Sequence, residues 1–241
     1  MAEGNPERRD SYDLSTLNVG TARRMRGKVA VVHLLLSSPS LTWTVKTKAA
    51  ADGSALLAAR FFTEQAKLRG VADLEYTPVA WMVPTNLELE SVTVDDTARV
   101  SDARTMVHAA IAAAETSFGQ TFVQIARNLR KDEGAAEVAF LIHLPIAGAR
   151  EFAYPAPYLG ETDVGIVFDA EPEQMGYTAA HEIAHLFGAD DLYNLAPYAT
   201  ADAADLMRMN CPLSFVSVKD MTAYAIGWEN ERPARPYGYT Q

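Results

Sequence analysis

One cysteine, Cys211, stands in a chain of 241 residues, and a lone thiol excludes any internal disulfide. Long hydrophobic runs are missing too. The longest mostly apolar stretch, 29–36, is too short to cross a bilayer, so no membrane span is expected. Positive charge is in deficit: a net charge of −10 argues against a nucleic-acid-binding surface. Residues 1–26 lack the apolar core of a secretory signal, which makes a cytoplasmic location the expected one, with signal-less export as the alternative. That stretch carries Arg8, Arg9, Arg23, Arg24 and Arg26 beside several acids and reads as a flexible N-terminal arm. Repeats and low-complexity tracts are absent.

What is present is material for one sizeable core, since 49% of the residues are hydrophobic. Residues 28–37 (KVAVVHLLLS) are β-rich and apolar, as a buried strand would be. Asp52 or Ser54 is placed to cap a helix over 55–69, which Gly70 ends. Residues 74–83 read as a strand interrupted by Pro78, and 87–94 alternate apolar and polar. A long helix is expected from Ser101 or Asp102 to Arg130, with Met106, Ala110, Ala113, Phe118, Phe122, Ile125 and Leu129 as its inward stripe. Strands follow over 135–144 and 164–168, with a Tyr- and Pro-rich edge strand or rim over 151–160 between them. Ser217-x-x-Asp220 has a capping pattern, and Val218, Met221, Ala225 and Trp228 recur at helical spacing, so a C-terminal helix is expected to end near Gly227. The order of elements predicts an α/β (α+β) fold, a mixed sheet under packed helices.

The run His181-Glu182-Ile183-Ala184-His185-Leu186-Phe187-Gly188-Ala189-Asp190-Asp191 carries the chemistry. On a helix, His181 and His185 share one face and can offer two imidazole nitrogens to one metal ion. Glu182 can reach the water such a metal would hold, as a general base. Gly188 allows a sharp turn through the left-handed conformation, which brings Asp191 back as a third ligand. Two imidazoles, one carboxylate and an open position make a catalytic zinc site, one Zn2+ per chain. Chance supplies such a run in a chain of this composition with an expectation of roughly 10⁻⁵. Asp190 rivals Asp191 as the ligand. In a second arrangement a later acid, Asp205, Asp220 or Glu229, completes the site, but Gly188 argues against it. Asp10 or Asp13 capping the metal from a propeptide, and Cys211 near the site, are further alternatives. His33 and His143 lie in apolar strands and His108 near a helix stripe, so all three read as core histidines rather than ligands.

The motif HExxHxxGxxD resembles the metzincin clan of zinc peptidases, and its closing Asp is similar to the small bacterial branch typified by snapalysin. The resemblance implies a metzincin-like zincin. Residues 27–188 would form an upper catalytic subdomain with a mixed twisted sheet and helices above a cleft. Residues 189–241 would form a small, mainly helical lower subdomain. It also implies a tight methionine-containing turn beneath the metal, for which Met207 is the first candidate and Met209 the second. An edge strand over 154–159, with Tyr154 and Tyr158, would present itself to an extended peptide or protein substrate. Pro212, Leu213 and Phe215 would line a hydrophobic pocket opposite. Tyr193 or Tyr198 would help to hold the developing oxyanion. The expected activity is zinc-dependent endopeptidase hydrolysis with Glu182 as base. The alternatives are another metal-dependent hydrolase, such as a narrow processing enzyme, on the same scaffold, or a zinc-holding binding module without turnover.

Overall fold

A computed structural model describes residues 20–39, 42–86, 100–147, 152–154, 162–169, 172–189, 191–192, 204–208 and 212–230. Five strands, β1 (Lys28–Ser37), β2 (Glu75–Pro84), β3 (Glu137–Ala147), β4 (Phe152–Tyr154) and β5 (Val164–Asp169), form one sheet in the order β2-β1-β3-β5-β4. The first four in that order run parallel, and β4 joins the outer side of β5 antiparallel, so the sheet is mixed as expected. β1 begins and ends where the apolar run predicts. It is flanked on both sides and covered on both faces, which is why it reads as continuous rather than alternating apolar residues. Pro78 is tolerated in β2 because that strand has only β1 as a neighbour among the described residues.

Helices cover both faces. Val29, Val31, Leu141 and Val167 point to the face carrying α1 (Val45–Leu68) and α4 (Pro172–Leu186). Ala30, Val32, Leu34, Phe140, Ile142 and Ile166 point to the face covered by α2 (Val100–Phe118) and α3 (Phe122–Asp132). On the second face Phe122 stacks on Phe140 with ring centroids 4.4 Å apart. Each such fully buried side chain stabilises the fold by about 1.5–3 kcal/mol of transfer free energy. Residues of the C-terminal stretch, including Leu206, Met207, Val218, Met221 and Trp228, join the core on the α1/α4 face. No described helix is long and apolar enough to cross a membrane.

Several boundaries differ from the sequence expectation, each for a local reason. α1 starts at Val45, because Thr44 and Thr47 form a reciprocal capping box nearly three turns before the expected start. Asp52 and Ser54 therefore sit inside the helix, Asp52 paired with Lys48 and Ser54 bonded back to the Ala51 carbonyl. The single long helix is two, since Gly119 adopts φ 62° and Thr121 with Gln124 caps a fresh start. Its His108 is exposed rather than part of the core. The C-terminal helix is only α5 (Asp220–Ala225), whose N-cap Lys219 makes no side-chain cap bond; Ser217 pairs with Asp205 instead. The arm expected over 1–26 belongs to the core from Gly20 onward. Ala22 and Met25 are fully buried, and the indole of Trp228 donates to the Met25 carbonyl at 2.7 Å. The strand expected over 87–94 lies outside the described residues.

Candidate metal centre

α4 follows β5 with Pro172 at its first position, where no backbone N–H is required. It ends in a turn that the sequence announces. Gly188 adopts φ 100°, its N–H donates to the His185 carbonyl at 3.0 Å, and the Ala189 N–H donates to the Ala184 carbonyl at 3.0 Å. This pair of bonds is a Schellman termination. It also turns the Ala189 carbonyl back over the helix end, where it accepts from His185 Nδ1 at 2.8 Å.

The same turn returns Asp191 to the histidines. Its Oδ1 lies 3.1 Å from His181 Nε2 and 3.3 Å from His185 Nε2, and the two Nε2 atoms are 3.1 Å apart. The three atoms form a nearly equilateral triangle. Ligands held ~2.0 Å from a tetrahedral ion stand about 3.3 Å from one another, so the triangle has the size of one face of such a site. Glu182 is buried, and its carboxylate lies within 4.8 Å of both imidazoles, so His181, Glu182 and His185 form a group that can bind a metal ion.

Hydrogen bonding decides what the nitrogens are. His181 Nδ1 donates to the Leu206 carbonyl at 3.1 Å, as His185 Nδ1 does to Ala189. A carbonyl only accepts, so each ring carries a proton on Nδ1, and it is Nε2 that faces the centre, where it offers a lone pair once its own proton is gone. Two imidazole nitrogens and a carboxylate oxygen at these distances need a proton or a cation among them, and the N,N,O donor set is one that a divalent metal can take. Titration carries the same message. Burial disfavours a charged His185, yet the Asp191 carboxylate and its hydrogen bond, Glu182 and the Ala189 carbonyl together push the imidazole up to about 10. Burial likewise opposes the charge on Asp191, but His185 and His181 hold it well below the usual carboxylate range. The site attracts positive charge.

The rival acids go elsewhere. Asp220 and Glu229 pair with Arg69, at 2.8 and 3.4 Å. Asp205 is fully buried, but its oxygens accept from Met207 N, Thr222 Oγ1 and Lys219 N, at 2.7, 2.7 and 2.8 Å. Met207 is fully buried in the turn that Asp205 builds, and its carbonyl accepts from Leu192 N at 3.0 Å. Leu213 is half-buried against the core and Pro212 half-buried beside it, whereas Phe215 is 69% exposed and packs no core. Tyr154 lies in the backbone of β4. Its side chain and Asp10, Asp13, Tyr158, Asp190, Tyr193, Tyr198, Met209 and Cys211 lie outside the described residues.

Sequence reasoning missed three supports of the site. Tyr177, one turn before His181, donates its hydroxyl to the Leu206 carbonyl at 2.9 Å, where it meets His181. Leu206 contributes only a main-chain oxygen, which leaves no mark in the sequence. Asp205 did leave one: Asp-x-Met, with the side chain accepting from the N–H two residues on, is an Asx turn. No protein-family model matches this chain, and neither does any curated protein sequence.

Proposed function

We propose that the chain is a zinc-dependent peptidase of the snapalysin-like metzincin type, with His181, His185 and Asp191 holding one Zn2+ and Glu182 acting as general base. The observation that carries this reading is the triangle of two Nε2 nitrogens and one carboxylate oxygen, with a buried glutamate beside it. A metal held only for structure has no use for a base at that position. The motif HExxHxxGxxD, a helix following the last strand of a mixed sheet, an antiparallel edge strand and a buried methionine in a tight turn all agree with that type.

When bound, zinc supplies Lewis acidity, lowering the pKa of the attacking water and polarising the scissile carbonyl. Glu182 takes the proton from that water as its oxygen adds to the carbonyl carbon. It then delivers the proton to the amine nitrogen as the C–N bond breaks. The Leu206 and Ala189 carbonyls hold both rings in one tautomer and orientation throughout. An extended substrate would pair with the outer edge of β4, and Pro212, Leu213 and Phe215 would receive a hydrophobic side chain just downstream of the cut.

Metal content and cleavage of a broad peptide library, wild type beside Glu182→Gln, test the reading. The expected result is one zinc per chain in both proteins, with cleavage before hydrophobic residues by the wild type. Turnover by Glu182→Gln should be roughly 10²–10⁴-fold lower, since an amide cannot accept the proton. Zinc without any cleavage would make the chain a metal-holding module, and equal activity in both proteins would remove Glu182 from the mechanism.

A further inference from the structure

Asp205 is the common anchor of two of the three groups that face the metal position. Its carboxylate has no solvent exposure and gathers three donors: Met207 N at 2.7 Å, Lys219 N at 2.8 Å and Thr222 Oγ1 at 2.7 Å. The first closes the turn 205–207, and the other two tie that turn to the start of α5. Main-chain bonds across the Asp205–Ser217 bridge, Leu206 N to Ser217 O at 2.9 Å and Ser217 N to Ala204 O at 2.8 Å, fix its outer side. Two carbonyls then leave the turn toward the centre. That of Leu206 accepts from His181 Nδ1 and from Tyr177, and that of Met207 accepts from the N–H of Leu192, the residue after Asp191. A shift of this turn therefore rotates His181 and displaces Asp191 together.

We propose that Asp205 is a positioning residue that sets the metal affinity of the site by holding the Leu206 and Met207 carbonyls against His181 and the Asp191 loop. The proposal rests on the metal-binding part of the proposed function. A buried carboxylate that only accepts suits the task, because its oxygens face three N–H and O–H donors, and such bonds to a carboxylate are about twice as strong as neutral ones. An amide cannot substitute: its NH2 would face a donor on one side, N–H against N–H or O–H. Removal of such outer partners of metal ligands typically costs 10–100-fold in affinity.

The test measures zinc affinity by competition with a chromogenic chelator and, on Co2+-loaded protein, the visible ligand-field spectrum. The proteins are wild type, Asp205→Asn, Thr222→Val, Thr222→Ser, and Phe122→Leu as a destabilising control in the opposite core. Asp205→Asn is expected to bind zinc at least about tenfold more weakly with an altered Co2+ spectrum. Thr222→Val should follow in part, Thr222→Ser should restore wild-type values, and Phe122→Leu should lower Tm yet leave both readouts unchanged. Should Asp205→Asn fail to fold, the Thr222 pair carries the comparison alone. Wild-type affinity and spectrum in Asp205→Asn or Thr222→Val would overturn the proposal and leave the zinc reading intact. Wild-type protein that binds zinc but cleaves no peptide would overturn the peptidase reading and leave Asp205 in its role. A wild-type chain that takes up no zinc would overturn both.

Discussion

Two close histidine pairs lie on the α1/α4 side of this molecule, and their surroundings differ in kind. His33 on β1 and His143 on β3 meet through Nδ1 and Nε2 at 2.9 Å; His181 and His185 on α4 meet through their two Nε2 atoms at 3.1 Å. The separations are nearly the same, but the sheet pair is fully buried and His185 only half-buried. The surroundings differ. In the sheet pair one ring donates to the other, and among the described residues His33 Nε2 and His143 Nδ1 have no hydrogen-bond partner. Burial pushes His33 down to about 3 against a smaller pull from Asp52, and pushes His143 well down with help from His33, so both rings are neutral. In the helix pair each Nδ1 is tied to a carbonyl, and Asp191 and Glu182 stand beside the inward nitrogens. Imidazoles 3 Å apart do not make a metal site. Carbonyls on their far sides and carboxylates beside them gather what a metal ion would require.

The comparison breaks most sharply on metal content. His181→Ala should leave the protein without zinc after gel filtration, whereas His33→Gln/His143→Gln should keep one ion per chain by elemental analysis. Zinc lost from the sheet variant and retained by His181→Ala would reverse the assignment of the two pairs.

Acid should separate them next. The folded pKa values of His33 and His143 lie below the unfolded value of 6.5, so their contribution to stability is full above that pH and lost as pH falls toward 3. At pH 5 the unfolded chain gains about 2 kcal/mol from protonating each ring, roughly 4 kcal/mol for the pair. Urea unfolding at pH 7 and pH 5 should show this loss in wild type and not in His33→Gln/His143→Gln, whose amides do not titrate. Equal losses in both proteins would show that the sheet pair accepts protons in the folded state.

The smallest effect concerns Tyr177. Its hydroxyl shares the Leu206 carbonyl with His181, and removing one neutral hydrogen bond is worth about 1 kcal/mol. Tyr177→Phe should weaken zinc binding by about fivefold with turnover at saturating metal unchanged. A wild-type zinc affinity in this variant would assign the orientation of His181 to Leu206 alone.

Much of this arrangement was legible locally. The apolar run over β1 marked its own ends, because a strand buried on both faces needs no polar alternation. Gly188 announced the turn that carries Asp191, since few residues other than glycine accept its φ of 100°. Two helix starts were written in the chain but escaped notice. Thr121 with Gln124 is an ordinary capping box behind Gly119, while Thr44 with Thr47 replaces the usual Glu or Gln by a hydroxyl. The length of α5 and the fate of Ser217 were not legible, because the main chain of Ser217 bonds to Ala204 and Leu206 rather than capping the helix it precedes.

The sequence by itself determined the motif helix, the shared face of His181 and His185 and the turn at Gly188, all of which depend on neighbours within a few residues. Only the tertiary structure decided which acid faces the histidines, and why Asp205, Asp220 and Glu229 do not. It alone brought the Leu206 carbonyl across 25 residues to His181 and set His33 and His143 against one another in the sheet. The physical reason is one of range. Helical spacing and glycine torsions act along the backbone, whereas the tautomer of a ring and the charge it can hold depend on groups that packing delivers from distant parts of the chain.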